Sequence, residues 1–202
     1  MSNFNPESTA IVVIDVQVGV FETDPPPINR EEVLKSINRV TAAARAAPTL
    51  VIFIQHDGNP NEQWLLPDTA EWSLHFALKV AGNDLIIRKT ACDAFYKTEL
   101  EDYLHSKGIE TIVVMGYASD FCIDTTIRSA ASKEFRVIVV TDAHTTKDRP
   151  VLDAAQIIAH HQWMWSSLIC PKGVELLTAS EVVRGFCQSG LDFTSKPFLQ
   201  ST

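Results

Sequence analysis

Residues 110–130 read ETIVVMGYASDFCIDTTIRSA, and the two ends of this stretch obey different periods. Residues 110–116 are an unbroken, largely β-branched run, which suits a strand buried on both faces. From Phe121 to Glu134 the apolar residues return at helical spacing. Between them lies a short turn through Tyr117, Ala118, Ser119 and Asp120. The stretch is therefore a strand, a turn and a helix, with Cys122 in the first helical turn. A thiol placed there meets the positive end of the helix dipole and free N–H groups, and both favour the thiolate. The competing reading is a buried structural cysteine; the polar approach through Ser119 and Asp120 argues against it.

The same rhythm extends outward in both directions. Upstream runs of strand character are TAIVVID ending at Asp15, TLVIFIQ from Thr49 and DLIIR from Asp84; downstream ones are RVIVVTD from Arg136 and a weaker GVELLT from Gly173. Helical patterns span Arg30 to Ala47, Trp72 to Val80, Thr98 to Lys107, Phe121 to Glu134 and Pro150 to Ser166, with a short one after Thr178. Gly108 stands where a helix C-cap glycine belongs. Strands alternating with helices imply an α/β, three-layer α/β/α architecture on a mostly parallel six-stranded sheet. Pro25, Pro26 and Pro27 force a stiff loop after the first strand. Residues 56–71, HDGNPNEQWLLPDTAE, form a long loop after the second, where Trp64 and Leu65 either wall a pocket or pack on the protein's own surface.

A chain of 202 residues fits one domain, read as residues 1–185 with a C-terminal tail, 186–202, that lacks periodicity. The net charge of -8 argues against nucleic acid or an anionic membrane as partner and leaves a small-molecule substrate. No apolar run approaches the roughly 18 to 20 residues that span a bilayer. The N-terminus MSNFNPEST has no basic region followed by an apolar stretch, so a cytoplasmic location is expected. The four cysteines, Cys92, Cys122, Cys170 and Cys187, are scattered and suggest neither a disulfide framework nor a zinc site.

Two more residues stand where an α/β sheet does its chemistry, beyond the carboxyl ends of the strands. Asp15 closes the first strand, with Gln17 two residues on. Lys89 closes the third, in IIRKTACDAFYKTEL. Alone, Asp15 reads as a strand-end cap and Lys89 as a solvated surface group. Together with Cys122 they make a different set: a lysine near a thiol lowers its pKa and, if buried, needs a carboxylate such as Asp15.

The segments IVVIDVQVGVF (11–21), RKTACDAFYKTEL (88–100) and VVMGYASDFCIDTT (113–126) closely resemble the three motifs of the isochorismatase-like hydrolases, in the cysteine hydrolase branch that includes nicotinamidases and N-carbamoylsarcosine amidohydrolase. The resemblance covers roughly residues 8–180. It implies strand order 3-2-1-4-5-6 and a catalytic trio of Asp15, Lys89 and Cys122. It further implies a cis peptide between Tyr117 and Ala118, an oxyanion hole from the N–H groups of Ala118 and Cys122, and a homo-oligomer. The activity implied is hydrolysis of a C–N bond in a small amide, urea or carbamoyl compound through a cysteine thioester.

Gln17, Phe21, His56, Trp64, Phe95, Ser119 and Phe121 are candidate substrate contacts; Phe21 and Phe95 read almost as well as core. Nicotinamidases carry an Asp-x-His and a further His as a metal site. Here QHDGNPNE offers His56 beside Asp57 and no second histidine before His75, so no metal and no cofactor are expected. Asp142 and His144 read as loop-capping residues, and His160 and His161 cannot face one point from a helix. Trp163 and Trp165 read as core or interface. Two other activities stay open: vinyl ether cleavage with Asp15 as general acid, and thiol redox chemistry with Cys92 as resolving cysteine.

Overall fold

The computed structural model describes residues 5–61 and 63–192. Six strands form one sheet: β1 (Thr9–Ile14), β2 (Leu50–His56), β3 (Leu85–Lys89), β4 (Thr111–Tyr117), β5 (Arg136–Thr145) and β6 (Val174–Leu177). Their order is β3-β2-β1-β4-β5-β6, and all five pairings are parallel. The helices are α1 (Val18–Phe21), α2 (Arg30–Ala46), α3 (Leu100–Ser106), α4 (Asp124–Ser132), α5 (Ala154–Ser166) and α6 (Ala179–Asp192), with a π-helical turn over Ser119–Ile123 ahead of α4. Gly108 lies past the end of α3 at φ 66°, the left-handed cap its position suggests.

Alternation along the strands divides the core. Ile11, Val13, Phe53, Val113, Met115 and Ile138 face one way, toward α2 and α6. Their neighbours Val12, Ile14, Ile52, Val114 and Val139 face the other way, with Leu104 of α3, Ile127 of α4 and Trp165 of α5. All six residues of β1 are buried because layers cover both faces. At about 1.5–3 kcal/mol for each buried Val or Ile, the central strands supply much of the drive to fold.

Sequence and structure part company over residues 72–80. The apolar spacing predicts a helix, but this stretch runs as turns laid along the start of α1. Val18 donates to Ser73 O at 3.0 Å, Gly19 to Glu71 O at 2.8 Å and His75 to Val16 O at 2.9 Å. The Gln17 and Gln55 amides both donate to Trp72 O, at 2.7 and 2.8 Å, and Asn38 donates to Ala77 O at 2.8 Å. Backbone groups bonded to buried amides elsewhere in the chain gain nothing by forming a helix. A second correction concerns the tail: α6 runs on to Asp192, and Phe186 is buried against the α2 face of the sheet. The expectation for residues 193–202 lies outside the described residues.

Candidate active site

Three crossovers deliver the polar residues to one rim of the sheet. Asp15 directly follows β1 in the left-handed region, φ 51°, which aspartate tolerates better than most residues. Its N–H still bonds Ile54 O at 3.0 Å, so the departure from strand geometry is anchored. Lys89 is the last residue of β3, in register with His56 of β2. Two inter-strand spacings, about 10 Å, separate β3 from β1. The lysine side chain closes this gap from a position only 2% exposed, and its Nζ lies 2.7 Å from Asp15 Oδ2.

Cys122 sits in the π-helical turn after β4. Gly116 makes that exit possible. Its φ is 123°, and a Cβ there would stand 2.1 Å from the carbonyl oxygen of Ile14. The Tyr117–Ala118 peptide is cis, as the resemblance implies. Lys89 Nζ donates to Cys122 Sγ at 3.4 Å and to Ala91 O at 2.9 Å, with His56 Nδ1 also at 3.4 Å. An ammonium has three protons. Asp15 and Ala91 take two, leaving the third to the sulfur and the imidazole.

These charges act on one another. Burial pushes the Lys89 pKa down, but the charges of Asp15 and Cys122 outweigh it, so the net shift is upward. The Cys122 thiol is pushed strongly upward, first by burial and then by the Asp15 charge, with Lys89 pulling the other way. Burial and the Asp15 charge thus oppose the thiolate that the helix terminus and Lys89 favour. Asp15 Oδ1 is buried with no hydrogen-bond partner among the described residues, which leaves a lone pair for an incoming proton.

Above the trio opens a cavity of about 400 Å³. Asp15, Cys122 and Ala118 lie on its lining, with Val20, Trp64, Leu65 and Phe121 as apolar wall and His56, Cys92, Tyr117, Lys147 and Arg149 as polar wall. Of the candidate substrate contacts, His56, Trp64 and Phe121 therefore reach the cavity; the other four do not line it. Gln17 is fully buried and bonds both backbone groups of His56, at 2.9 and 3.0 Å. Phe21 is fully buried, edge-on to Tyr117 at 6.0 Å. Phe95 stacks on Phe135 on the opposite side of the sheet from Phe21. Ser119 bonds His144 Nδ1 at 2.8 Å behind the turn that carries Cys122. Each satisfies a core or backbone partner that outranks solvent.

The loop after β2 is laid down on the protein. Gly58 bonds Leu65 O at 2.8 Å, and Leu65 is buried while Trp64 stays 41% exposed at the cavity. Asp57, next to His56, is committed to Arg88 at 2.8 Å and to the Trp72 indole at 2.8 Å. Asp142 accepts from Ala179 N at 2.6 Å at the start of α6, the capping role its position suggests. Sequence reading missed Lys147 and Arg149. The available signal was the TTKDR run, 145–149, directly after a strand end at the binding rim.

Residues 9–178 match the isochorismatase domain family, and the chain belongs to that family. A streptothricin hydrolase of Streptomyces noursei is 33% identical over 141 residues, covering 70% of this chain and 56% of that protein. This chain thus spans about half the length of the streptothricin hydrolases it matches. The ureidoacrylate amidohydrolase RutB of Methylorubrum extorquens is 26% identical over 191 residues, 74% of each chain. A cysteine hydrolase from Pseudomonas syringae pv. phaseolicola 1448A superposes with a TM-score of 0.85 at 25% identity, over 94% of this chain and 97% of that one. Among the described residues no helix is long and apolar enough to cross a membrane.

Proposed function

We propose that this chain hydrolyses a C–N bond of a small amide, urea or carbamoyl compound through a thioester on Cys122. One observation carries the reading: Lys89 Nζ lies 2.7 Å from Asp15 and 3.4 Å from the Cys122 sulfur, and Asp15 and Cys122 both line a cavity. Names of relatives as streptothricin hydrolase and amidohydrolase support the reaction class.

Asp15 takes the thiol proton as the sulfur attacks the carbonyl carbon, so the thiolate exists only while it reacts. Lys89 offsets the charge that would otherwise gather on two buried anions. The N–H groups of Ala118 and Cys122 hold the oxyanion, at a few kcal/mol per donor. Asp15 then gives its proton to the leaving amine, takes one from the water that opens the thioester, and returns it to sulfur. One carboxylate serves both halves of the cycle. His56, Trp64 and Phe121 contact the substrate.

The test is ammonia release from a panel of small amides, ureas and carbamoyl compounds, with Cys122→Ala alongside. Loss of turnover in the variant and a wild-type mass adduct on Cys122 are expected. Turnover surviving in Cys122→Ala overturns covalent catalysis; cleavage of a vinyl ether by that variant, with no ammonia release from the panel, favours the mode in which Asp15 alone acts as acid. A specific observation keeps a redox reading in view: Cys92 lines the same cavity. That reading requires oxidant-dependent turnover without amide hydrolysis.

A further inference from the structure

The turn that carries Cys122 is anchored from behind. Ala118 O accepts from Phe121 N at 3.0 Å and from Ile123 N at 3.1 Å, so on that side the turn closes on itself. Next to Ala118, Ser119 is fully buried, and its hydroxyl meets His144 Nδ1 at 2.8 Å. His144 belongs to β5, in register with Gly116, and is also buried. Its Nε2 lies 3.1 Å from the side-chain amide nitrogen of Gln162 in α5, an amide that a bond to Thr141 O at 2.9 Å holds in place. An amide nitrogen only donates, so Nε2 accepts and Nδ1 gives its hydrogen to Ser119.

Helix α5 makes a second attachment beside the first. The Trp165 ring lies edge-on to His144, 5.3 Å between centroids, and its indole N–H donates to Asp124 Oδ1 at 2.9 Å, at the first residue of α4. The turn is thus tied on both sides of Cys122, at Ser119 and at Asp124. None of Ser119, His144, Gln162 and Trp165 lines the cavity. In a packed interior either partner of the Ser119–His144 pair would be left unbonded if the other moved, so the pair fixes its own geometry. A site for a tetrahedral oxyanion depends on such fixing, because a displacement of about 1 Å in its donors costs on the order of a hundredfold in rate.

Building on the hydrolase reading above, we propose that His144 is a positioning residue: through Ser119 it holds the Ala118 and Cys122 N–H groups at the spacing that the oxyanion requires. The sulfur itself answers to Asp15 and Lys89, so His144 acts on the step that forms the tetrahedral intermediate and not on the nucleophilicity of the thiol.

Two reagents separate these roles. With p-nitrophenyl acetate the thiol proton passes to Asp15, sulfur bonds the carbonyl carbon through a tetrahedral oxyanion, and p-nitrophenolate leaves with the C–O electron pair. Iodoacetamide alkylates the same sulfur by displacing iodide and forms no oxyanion. Both reactions are followed at Cys122 by peptide mass, with Cys122→Ala as the blank for the other cysteines and a urea midpoint for each variant, so that folded proteins are compared. Ser119→Ala and His144→Phe are expected to slow acylation roughly ten- to a hundredfold and alkylation less than about twofold. Ser119→Thr keeps the hydroxyl and His144→Asn keeps an N–H on the Nδ1 side, so both should retain most of the acylation rate. The double variant should be no slower than the slower single one, because both remove the same contact. Both rates falling together, acylation unchanged in Ser119→Ala, or penalties that multiply in the double variant would each overturn the proposal. A wild type alkylated but never acylated at Cys122 would overturn it along with the thioester reading. Acylation that depends on Ser119 and His144, without turnover of any compound in the amide panel, would uphold it and overturn C–N hydrolysis alone.

Discussion

His144 uses both ring nitrogens. Gln162 Nε2 donates to Thr141 O at 2.9 Å and points the same nitrogen at His144 Nε2, 3.1 Å away. His144 Nε2 must therefore accept, and Nδ1 carries the hydrogen given to Ser119. Burial, with the charge of His161 adding to it, lowers the pKa from 6.5 to about 4. Between those values the unfolded chain takes a proton that the folded ring refuses, so stability is fully present above pH 6.5 and falls as the pH drops toward 4. The loss at the lower limit is about 3 kcal/mol, and below it the curve levels off. Urea unfolding across this window should show the slope in the wild type and a shallower one in His144→Gln. Lys89 has the opposite sense. Its raised pKa gives stability that is complete below 10.5 and disappears as the pH climbs through the folded value. Lys89→Met leaves Asp15 buried and unpaired, an expected cost of about 3–5 kcal/mol by denaturant titration, together with a thousandfold or greater fall in kcat/KM. Strand-end position alone did not single out Asp15, Lys89 and Cys122; the resemblance of their three segments grouped them, and the structure brings them within contact at one rim. The upward push on the Cys122 thiol was not legible, because it depends on how deeply the sulfur and the carboxylate are buried together.

At the scale of elements, the unit that matters is β4, the cis turn and the π-helical turn into α4. Gly116 is its narrowest point, paired with Ile14 and facing that residue's carbonyl at a distance no side chain permits. Gly116→Ala combines that clash with a positive φ and is expected to cost more than about 3 kcal/mol, enough to move the urea midpoint visibly. If the variant folds, activity should fall further than stability, since Cys122 moves with the turn. Its strand, turn and helix were readable from residues 110–130; the cis bond came from the resemblance, and the π-helical turn was not foreseen. Residues 72–80 were not readable, because their shape is set by Gln17, Gln55 and Asn38, contributed by three other parts of the chain. Four of the seven candidate substrate contacts failed to reach the cavity for a related reason. Gln17 is drawn inward by the backbone of His56 and Ser119 by the His144 ring, both from other parts of the chain, while Phe121 is half exposed.

For the whole molecule, the parallel sheet was legible from uninterrupted apolar strands alternating with helical patterns, while its order came from the family resemblance. What was hidden is which loops close over the rim, and Lys147 and Arg149 come from one of them. The surface raises a further question. Val151, Trp163 and Ile169 are 88%, 66% and 100% exposed, while Trp165 is fully buried. We propose that the chain self-associates, as the family resemblance implies. Sedimentation equilibrium is expected to give a multiple of the chain mass that drops in Trp163→Glu with Ile169→Glu; a wild-type monomer would overturn this.

The position of β1 also bears on synthesis. It lies between β2, made soon after it, and β4, made about a hundred residues later. A nascent chain that has finished β3 therefore holds the most apolar strand of the protein with one backbone edge unpaired, and the acid and ammonium without their sulfur. Such a half-sheet offers an open seam to any other strand, so the ribosome-bound intermediate is the stage at which this protein most needs a chaperone.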